Sequence, residues 1–388
     1  MPELALDLGS AKFWVFFAVA LLLLVPITSV RLKQAALAAI NVAFVASLVG
    51  GRGALTVLVV VVAIWLFARL LRRQALRRTA LVVAAGLLLG VFLIHKLPPL
   101  QAGGLGTSSL KAVLGGIGFS FVALRVIEVL RASFELTQPA PGLIPLFNYV
   151  LPFHMLAAGP IQAYDDYVAA SPIGDSPRVS NVLSATERIA SGLFKKFVLA
   201  QTLKTLFLTG FQASGAYFFF EAQVYYVWVY WDFSAYSDIA VGVGQLLGIA
   251  TPENFNRPLR SRNIIEFWER WHISLSLFIR RNVFVPIQLG LMRRFPEAKP
   301  LGIACAAFSV AFMLCGAWHG LNWRCLGWGA IHAFGLVVCS VYKDALLSRV
   351  GRKGLSRYLD DWRVRVLSTA LTFEFVAFSL VFISYPFK

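Results

Sequence analysis

The segment from Leu301 to Ala317 reads LGIACAAFSVAFMLCGA and decides the class of fold to which this chain belongs. It carries no charged residue, and as a helix it is long enough to cross a bilayer core, which takes about 17 to 25 residues. Trp318, His319 and Gly320 follow it directly. Ionisable side chains at membrane depth are costly and mark functional sites. The segment therefore predicts a membrane-spanning helix that ends at a polar site.

The remainder of the chain has the same apolar character. Of its 388 residues, 58% are hydrophobic and 14% are charged, whereas soluble domains carry about 25% charged residues. The apolar runs are continuous, while the strands of a membrane β-barrel alternate apolar and polar residues. The composition therefore predicts an all-α polytopic membrane protein.

Apolar segments of roughly spanning length recur from end to end, and several are short enough to be re-entrant or interfacial. They lie near residues 12–30, 36–50, 54–71, 79–95, 109–130, 142–158, 189–211, 217–233, 236–250, 301–317, 325–343 and 366–384. We expect about eleven transmembrane helices from these segments. No internal repeat and no soluble domain boundary is visible, so residues 1–388 are expected to form a single membrane domain.

The net charge of +17 comes from 36 Lys and Arg against 19 Asp and Glu. No aromatic-interleaved basic groove or nucleic-acid motif accompanies it, so we expect no nucleic-acid partner. Basic residues instead collect in cytoplasmic loops, and Arg69 to Arg78 is the densest basic stretch. With that loop in the cytoplasm, the Arg31–Lys33 loop is also cytoplasmic, and Lys96–Ser109 is external. The N-terminus is then external if one early segment is re-entrant.

The first apolar run, about Phe13 to Val30, lacks a basic flank and is expected to be a permanent span rather than a signal peptide. The four cysteines form no CxxC pair, so neither a zinc site nor a redox motif is indicated. They are Cys305, Cys315, Cys325 and Cys339. We therefore expect no metal.

A polar and aromatic stretch, FWERWHISLS at 267–276, interrupts the apolar pattern. At helical spacing, Glu269, His272 and Ser276 would share one face. Trp268 and Trp271 would suit the headgroup level as belt residues. Two interpretations stay open from spacing alone. The stretch is either an interfacial helix whose histidine only makes hydrogen bonds, or part of a reactive site.

His319 is the stronger candidate for chemistry. Gly316 and Gly320 flank it and would leave the imidazole approachable. An imidazole, with an unperturbed pKa of about 6.5, is suited to removing a proton near neutral pH. A collar of polar and aromatic residues follows in sequence and would suit a ligand. It consists of Trp318, Asn322 and Trp323.

Two further polar residues in apolar surroundings are candidates for the same cavity. His332 could line it, although packing between helices is the alternative role. Asp238 could orient a histidine, or it could pair with Arg257, Arg260 or Arg262.

Taken together, these residues resemble the membrane-bound O-acyltransferase family, in particular its bacterial cell-envelope branch. The matching stretches are 159–161 (GPI), 192–196 (GLFKK), 232–238 (DFSAYSD), 252–258 (PENFNRP), the His272 stretch and 316–320 (GAWHG). They span most of the chain from about Gly116 onward. The resemblance implies an enzyme of the bacterial cytoplasmic membrane, with N-terminal helices at 1–140, a catalytic core at 141–343 and a C-terminal loop and helix at 344–388.

The resemblance also implies a mechanism. Tilted helices would surround a central tunnel, with His319 as the catalytic histidine at its narrow point and His272 as the second family histidine, placing a substrate or donating a hydrogen bond to an oxyanion. The donor would be an acyl thioester on the cytoplasmic side, either acyl-CoA or a phosphopantetheinyl carrier protein, with no permanently bound cofactor. The acceptor would be a hydroxyl of an extracytoplasmic polymer or accessory acyltransferase. The expected tunnel lining is Trp271, Ser276, Trp318, Asn322, Trp323, His332 and Asp238.

Two groups within the family leave the acyl group open between acetyl and D-alanyl. The exopolysaccharide O-acetyltransferases resemble the chain around Phe233–Asp238 and Pro252–Ser276, but they typically carry Gly-Gly where Gln288 and Leu289 stand here. The enzymes of teichoic-acid D-alanylation resemble it in length and in the ending Thr372–Ser379.

Two other classes of function remain as alternatives. A transporter or flippase of a lipid-linked precursor would use midplane polar residues for binding, although the absence of an internal repeat in the sequence disfavours it. A membrane scaffold without catalytic activity would not require His272 and His319 to stand in such specific motifs.

Overall fold

The computed structural model describes residues 10–96, 113–156, 158–170, 179–208 and 217–384. Most of this part of the chain is helical, and its only β-type pairing is an isolated bridge between Phe255 and Trp271. Among the described residues, five helices are long and apolar enough to cross a membrane: Val30–Leu70, Arg77–Lys96, Pro300–His319, Trp323–Asp360 and Trp362–Ile383. The predicted all-α membrane class is confirmed, while the number of about eleven spans stays a prediction.

The chain forms two compact units, Met1–Leu193 with Tyr236–Pro252, and Phe194–Ala235 with Glu253–Lys388. The helices that begin in the first unit are α1 (Ala11–Leu24), α2 (Val30–Leu70), α3 (Arg77–Lys96), α4 (Phe119–Glu135), α5 (Leu143–Val150), α6 (Tyr164–Ala169) and α7 (Val179–Phe194). The predicted external N-terminus lies outside the described residues, as does the predicted external loop beyond Lys96.

Helix α2 joins two predicted spans. Segments 36–50 and 54–71 belong to one helical run that kinks at Gly50, where a φ of 72° takes the backbone into the left-handed region. Only glycine adopts that conformation at little cost. The predicted loop Arg31–Lys33 is wrong, because these residues form the first turn of α2 and the Lys33 amide donates to the Ser29 carbonyl at 2.9 Å.

A buried arginine links α4 to the chain that follows α5. Arg125 is 1% exposed, and its guanidinium donates to the carbonyl oxygens of Met155 at 2.6 Å and Val150 at 3.4 Å. These carbonyls lie where α5 has ended and the chain turns through a short 3-10 helix, Phe153–Met155. Backbone groups released from a helix in an apolar interior need a new partner. Arg125 supplies it.

The second unit opens with π-helical turns, Lys195–Ala200 and Lys204–Leu208, and includes the first part of α8 (Tyr217–Leu247). The helices that follow are α9 (Ile264–Arg270), α10 (Ile273–Ile279), α11 (Val285–Arg294), α12 (Pro300–His319), α13 (Trp323–Asp360) and α14 (Trp362–Ser384).

Two boundaries in this region differ from the prediction. The expected spans 217–233 and 236–250 are one helix, α8, because the polar residues between them include no proline or glycine. Asp232 keeps its place in that helix by pairing with Lys196 at 2.5 Å. The loop expected from residue 344 is wrong as well, since α13 continues to Asp360 with a kink at Gly351, where φ is 66°.

Helices α12 and α13 form an antiparallel hairpin with very close backbones. The Cα atom of Gly329 lies 3.2 Å from where a Cβ on Gly316 would stand, and that Cβ would overlap the Cys325 carbonyl oxygen. A Cβ on Gly329 would in turn lie 2.5 Å from the Phe312 carbonyl oxygen. Small residues permit such close helix packing in membranes. This contact sets the position of the residues at the end of α12.

Candidate functional site

His319 is the last residue of α12 and is partly accessible. Its ring lies between two indoles, with centroids 4.7 Å from Trp318 and 5.0 Å from Trp328, and the Trp328 contact is edge-to-face at 84°. The flanking glycines, predicted to leave the imidazole approachable, instead pack on α13. A Cβ on Gly320 would lie 3.0 Å from both the Asn322 amide nitrogen and the Cys325 sulfur.

His272 stands at a break between two short helices. Its φ of 44° and ψ of 52° are left-handed, and it directly precedes α10. Around it, Asn254 and Asn256 pair with the chain from Arg270 to Ile273 through two backbone hydrogen bonds of 2.9 Å. The predicted helical face of Glu269, His272 and Ser276 is therefore wrong, because the helix ends before His272 and restarts after it.

The protonation of His272 follows from its partner. The Asn254 side-chain oxygen accepts from the backbone N–H of Ser274 at 3.4 Å and from the Ser274 hydroxyl at 2.8 Å. A backbone N–H only donates, so the Asn254 atom in this position is the oxygen. His272 Nδ1, at 2.9 Å from the same oxygen, must donate to it. In a neutral ring the other nitrogen, Nε2, is then an acceptor.

A directional chain of hydrogen bonds holds His332. Trp268 Nε1 donates to His332 Nδ1 at 3.3 Å, because an indole N–H can only donate. His332 Nε2 therefore donates to the Ser379 hydroxyl at 2.9 Å, and that hydroxyl donates to the Val376 carbonyl at 2.8 Å. His332 is 1% exposed, and its ring lies 4.5 Å from the Trp328 ring at an interplanar angle of 51°.

The three histidines of the second unit, His272, His319 and His332, differ in accessibility. His272 and His332 are buried and are fixed by the hydrogen bonds described above. His319 is partly accessible at the end of α12. Of the three, His319 is therefore the imidazole that a reactant can reach most readily.

The other residues predicted to line the tunnel lie in different environments. Trp271 is buried in an aromatic cluster and stacks on Phe267 at 5.5 Å. The Ser276 hydroxyl donates to the Trp271 carbonyl at 3.4 Å. Asn322 caps α13 by accepting from the Cys325 N–H at 3.0 Å. Trp323 is 67% exposed.

Asp238 belongs to the first unit, where it pairs with Arg188 at 3.0 Å. A pairing of Asp238 with an arginine was predicted and is observed, but Arg188 was not among the arginines named from the sequence, which were Arg257, Arg260 and Arg262. Arg188 lies fifty positions earlier in the sequence, on α7. The sequence pattern alone does not show which helix will place a basic side chain next to Asp238. Within the described ranges, no group of three His, Cys, Asp or Glu side chains is arranged to hold a metal ion.

The sequence predicted no role in the site for three residues whose side chains contact its histidines. They are Asn254, Trp328 and Ser379. Asn254 lies in a stretch that was noted only for its resemblance, and no periodicity marks it. Ser379 and Trp328 occur in apolar helices, where serine and tryptophan are common. A sequence signal exists only for Trp328, which lies four residues before His332 and so one helical turn away.

The sequence comparisons agree on one family. A family model described as the membrane-bound O-acyltransferase family matches residues 14–346. A teichoic acid D-alanyltransferase of Streptococcus thermophilus is 29% identical over 72% of this chain and 70% of its own length. A peptidoglycan O-acetyltransferase of Helicobacter pylori is 28% identical over 59% of this chain and 42% of its own. A probable alginate O-acetylase of Pseudomonas aeruginosa is 32% identical over 59% and 43%.

Proposed function

Because the chain belongs to the membrane-bound O-acyltransferase family, we propose that His319 is the general base with which it acylates a hydroxyl of a cell-envelope polymer or partner protein. The acyl group, D-alanyl or acetyl, comes from a thioester donor on the cytoplasmic side. The donor is acyl-CoA or a phosphopantetheinyl carrier protein, and it is a substrate rather than a bound cofactor.

This proposal rests on the difference in solvent exposure among three histidines of the second unit. His272 and His332 are 5% and 1% exposed and are held by hydrogen bonds, whereas His319 is partly accessible at the end of a spanning helix. A general base must reach the proton that it abstracts. His319 meets this requirement best among the three, and His272 is suited to positioning a substrate through Nε2.

The proposed reaction balances without a further reactant. The acceptor oxygen attacks the thioester carbonyl carbon while His319 takes the hydroxyl proton. A C–O bond forms, and the carbonyl oxygen becomes an oxyanion. The oxyanion collapses as the C–S bond breaks, and the departing thiolate takes the proton from the imidazolium. An ester and a free thiol result.

Two features of the setting remain part of the proposal. The enzyme would lie in the bacterial cytoplasmic membrane with an external N-terminus, and the tunnel expected from the resemblance would let donor and acceptor meet from opposite faces. Such a site excludes water, which protects the thioester from hydrolysis. The thioester itself would never cross the bilayer.

Among the two acyl groups, the extent of similarity favours D-alanyl. The D-alanyltransferase relative matches over 70% of its length, while the two O-acetylating relatives match over less than half of theirs. A chain that aligns with most of a relative shares more of the surfaces that bind donor and acceptor. D-alanyl transfer from a carrier protein is thus the first reaction to assay.

The direct test is acyl transfer in reconstituted membranes that contain the acceptor. Labelled D-alanyl carrier protein and labelled acetyl-CoA are supplied as separate donors to wild type and to His319→Ala. We expect label to move from one donor in wild type and transfer to fall by about 10² to 10⁴-fold in the variant, the usual contribution of a general base.

Ser309→Ala is the matched control, because Ser309 lies on the same helix and its hydroxyl donates to the Cys305 carbonyl of that helix at 2.9 Å. It should transfer label like wild type. Full transfer by folded His319→Ala would refute the general-base role. Absence of transfer from both donors in wild type, with movement of a lipid-linked precursor across the vesicle, would replace the proposal by the transporter alternative.

A further inference from the structure

Trp328 carries a buried hydrogen-bond donor beside His319. The indole is 4% exposed, and its Nε1 atom has no acceptor among the residues that the structure describes. An unsatisfied N–H in an apolar interior destabilises the fold, because it has lost its hydrogen bond to water. In native structures such a group often has a functional role or a bound partner that is not part of the chain.

The fold places this donor at the proposed reaction centre. The Gly316–Gly329 contact brings α13 against the end of α12, and there the Trp328 ring stands edge-to-face to His319 at 5.0 Å. The Trp328 ring also lies 4.5 Å from the His332 ring, and His332 is itself fixed by Trp268 and Ser379. The indole is therefore held in one orientation by both rings.

A neighbouring tryptophan shows what a purely structural indole does here. Trp268 is similarly buried, at 7% exposure, and lies 5.9 Å from Trp328. Its N–H is used within the protein, as the donor to His332 Nδ1. The same environment thus satisfies one indole and leaves the other available for a substrate atom.

The proposed reaction needs such a donor. Acyl transfer builds negative charge on the thioester carbonyl oxygen, and fixed donors aimed at that oxygen supply a large part of the rate. His272 was expected to fill this role, but its Nδ1–H donates to Asn254, and Nε2 of the neutral ring accepts rather than donates. The oxyanion donor must then be another group.

We propose that the Trp328 indole N–H is that donor, binding the carbonyl oxygen of the acyl thioester as His319 deprotonates the acceptor. The assignment rests on the proposed function, because it requires His319 to be the base. The hydrogen bond strengthens as the C–O bond forms and the carbonyl oxygen gains charge. It weakens again when the C–S bond breaks and the carbonyl is restored.

The test removes the N–H while keeping the ring. Trp328→Phe and a 3-benzothienylalanine at position 328, in which sulfur replaces the N–H in a ring of nearly the same shape, are assayed with whichever donor supports transfer. We expect kcat to fall by about 10- to 10³-fold with the donor KM within about threefold of wild type, because the bond matters most in the transition state.

Trp362→Phe is the matched control, since it removes an indole N–H from a residue of α14 that is 67% exposed and has no place in the proposed site. It should keep kcat within about twofold of wild type. The benzothienyl variant separates chemistry from folding, because it preserves the packing on His319 and His332. Its melting temperature should equal or exceed that of wild type, since it removes a buried donor that has no acceptor among the described residues.

Each outcome has a distinct meaning. Wild-type kcat in the benzothienyl variant overturns the assignment, whatever Trp328→Phe does, and leaves His319 as the base. An equal loss in Trp362→Phe also overturns it, because the effect would then not belong to position 328. Full activity in His319→Ala would refute the proposed function itself, which is a separate result from the same assay.

Discussion

At the scale of single residues, the backbone of His272 explains why this histidine is fixed. Left-handed φ is uncommon outside glycine, although histidine tolerates it better than bulky or β-branched residues. The bridge between Phe255 and Trp271 and the Asn254 hydrogen bonds hold the chain there against that preference. Strained residues that the surroundings over-determine cluster at functional sites.

Two substitutions at position 272 separate the two ring nitrogens. An asparagine amide reaches the place of Nδ1 and tolerates the left-handed backbone, so His272→Asn should keep the bond to Asn254 and the stability. It lacks the distal nitrogen, so we expect transfer to fall by about tenfold, the value of one hydrogen bond to a substrate. Melting temperature and initial transfer rate are the measurements.

His272→Gln is the complementary variant. Its amide reaches toward the place of Nε2 but leaves Asn254 without the Nδ1 donor, so it should lose about 1 kcal/mol of stability. Wild-type transfer by His272→Asn would mean that Nε2 has no role and that His272 only fixes the backbone.

At the scale of elements, the hairpin of α12 and α13 brings the reactive groups together. Its closest approach needs glycine at 316 and 329, because a side chain on either would strike the backbone of the opposite helix. His319 lies one turn beyond Gly316, and Trp328 precedes Gly329. A shift of the hairpin therefore moves both groups relative to one another.

Gly316→Ala tests this dependence. The added methyl would overlap the Cys325 carbonyl, which is backbone and cannot turn away. We expect a loss of about 1–3 kcal/mol of stability, the usual cost of overpacking, and a larger proportional loss of transfer because orientation is sensitive to displacements of about 1 Å. Thermal unfolding in detergent and the transfer assay measure the two effects.

Gly302→Ala is the control, because a Cβ at Gly302, on the same helix, would meet nothing within 4 Å. It should leave stability and transfer at wild-type values. Similar losses in both variants would point to helix propensity rather than to the hairpin contact.

At the scale of the whole molecule, apolar side chains are on the outside. The most apolar window of α3 has 11% of its residues buried, and Leu87, near the middle of that helix, is 56% exposed. In water such a surface would associate with other apolar surfaces. In a bilayer it is the surface that contacts lipid, which explains the high hydrophobic content of the sequence.

Leu87→Arg should therefore damage insertion rather than the site. A charge at the centre of a membrane helix costs about 2.5–3.5 kcal/mol, so we expect a lower yield of membrane-integrated protein but ordinary transfer per folded molecule. Leu87→Ala serves as the control and should insert normally. Normal insertion of the arginine variant would show that this face of α3 meets protein or water.

The sequence could predict much of this architecture because lipid leaves the backbone few choices. A long apolar run in a bilayer must be a helix, and the expected span at 301–317 agrees with Pro300–His319 to within two residues. Where the prediction failed, at α8 and beyond residue 344, polar residues were taken as ends of helices. Such residues stay helical when a partner such as Lys196 satisfies them.

The membrane class, the long apolar helices and the two histidine stretches can be predicted from the sequence, because they depend on composition and on local motifs. Which side chains meet depends on the tertiary fold. The left-handed turn at His272, the tautomer set by Asn254, the pairing of Asp238 with Arg188 and the place of Trp328 beside His319 all join residues through space. Hydrogen bonds and close packing act over a few ångströms, and chain order does not encode those distances directly.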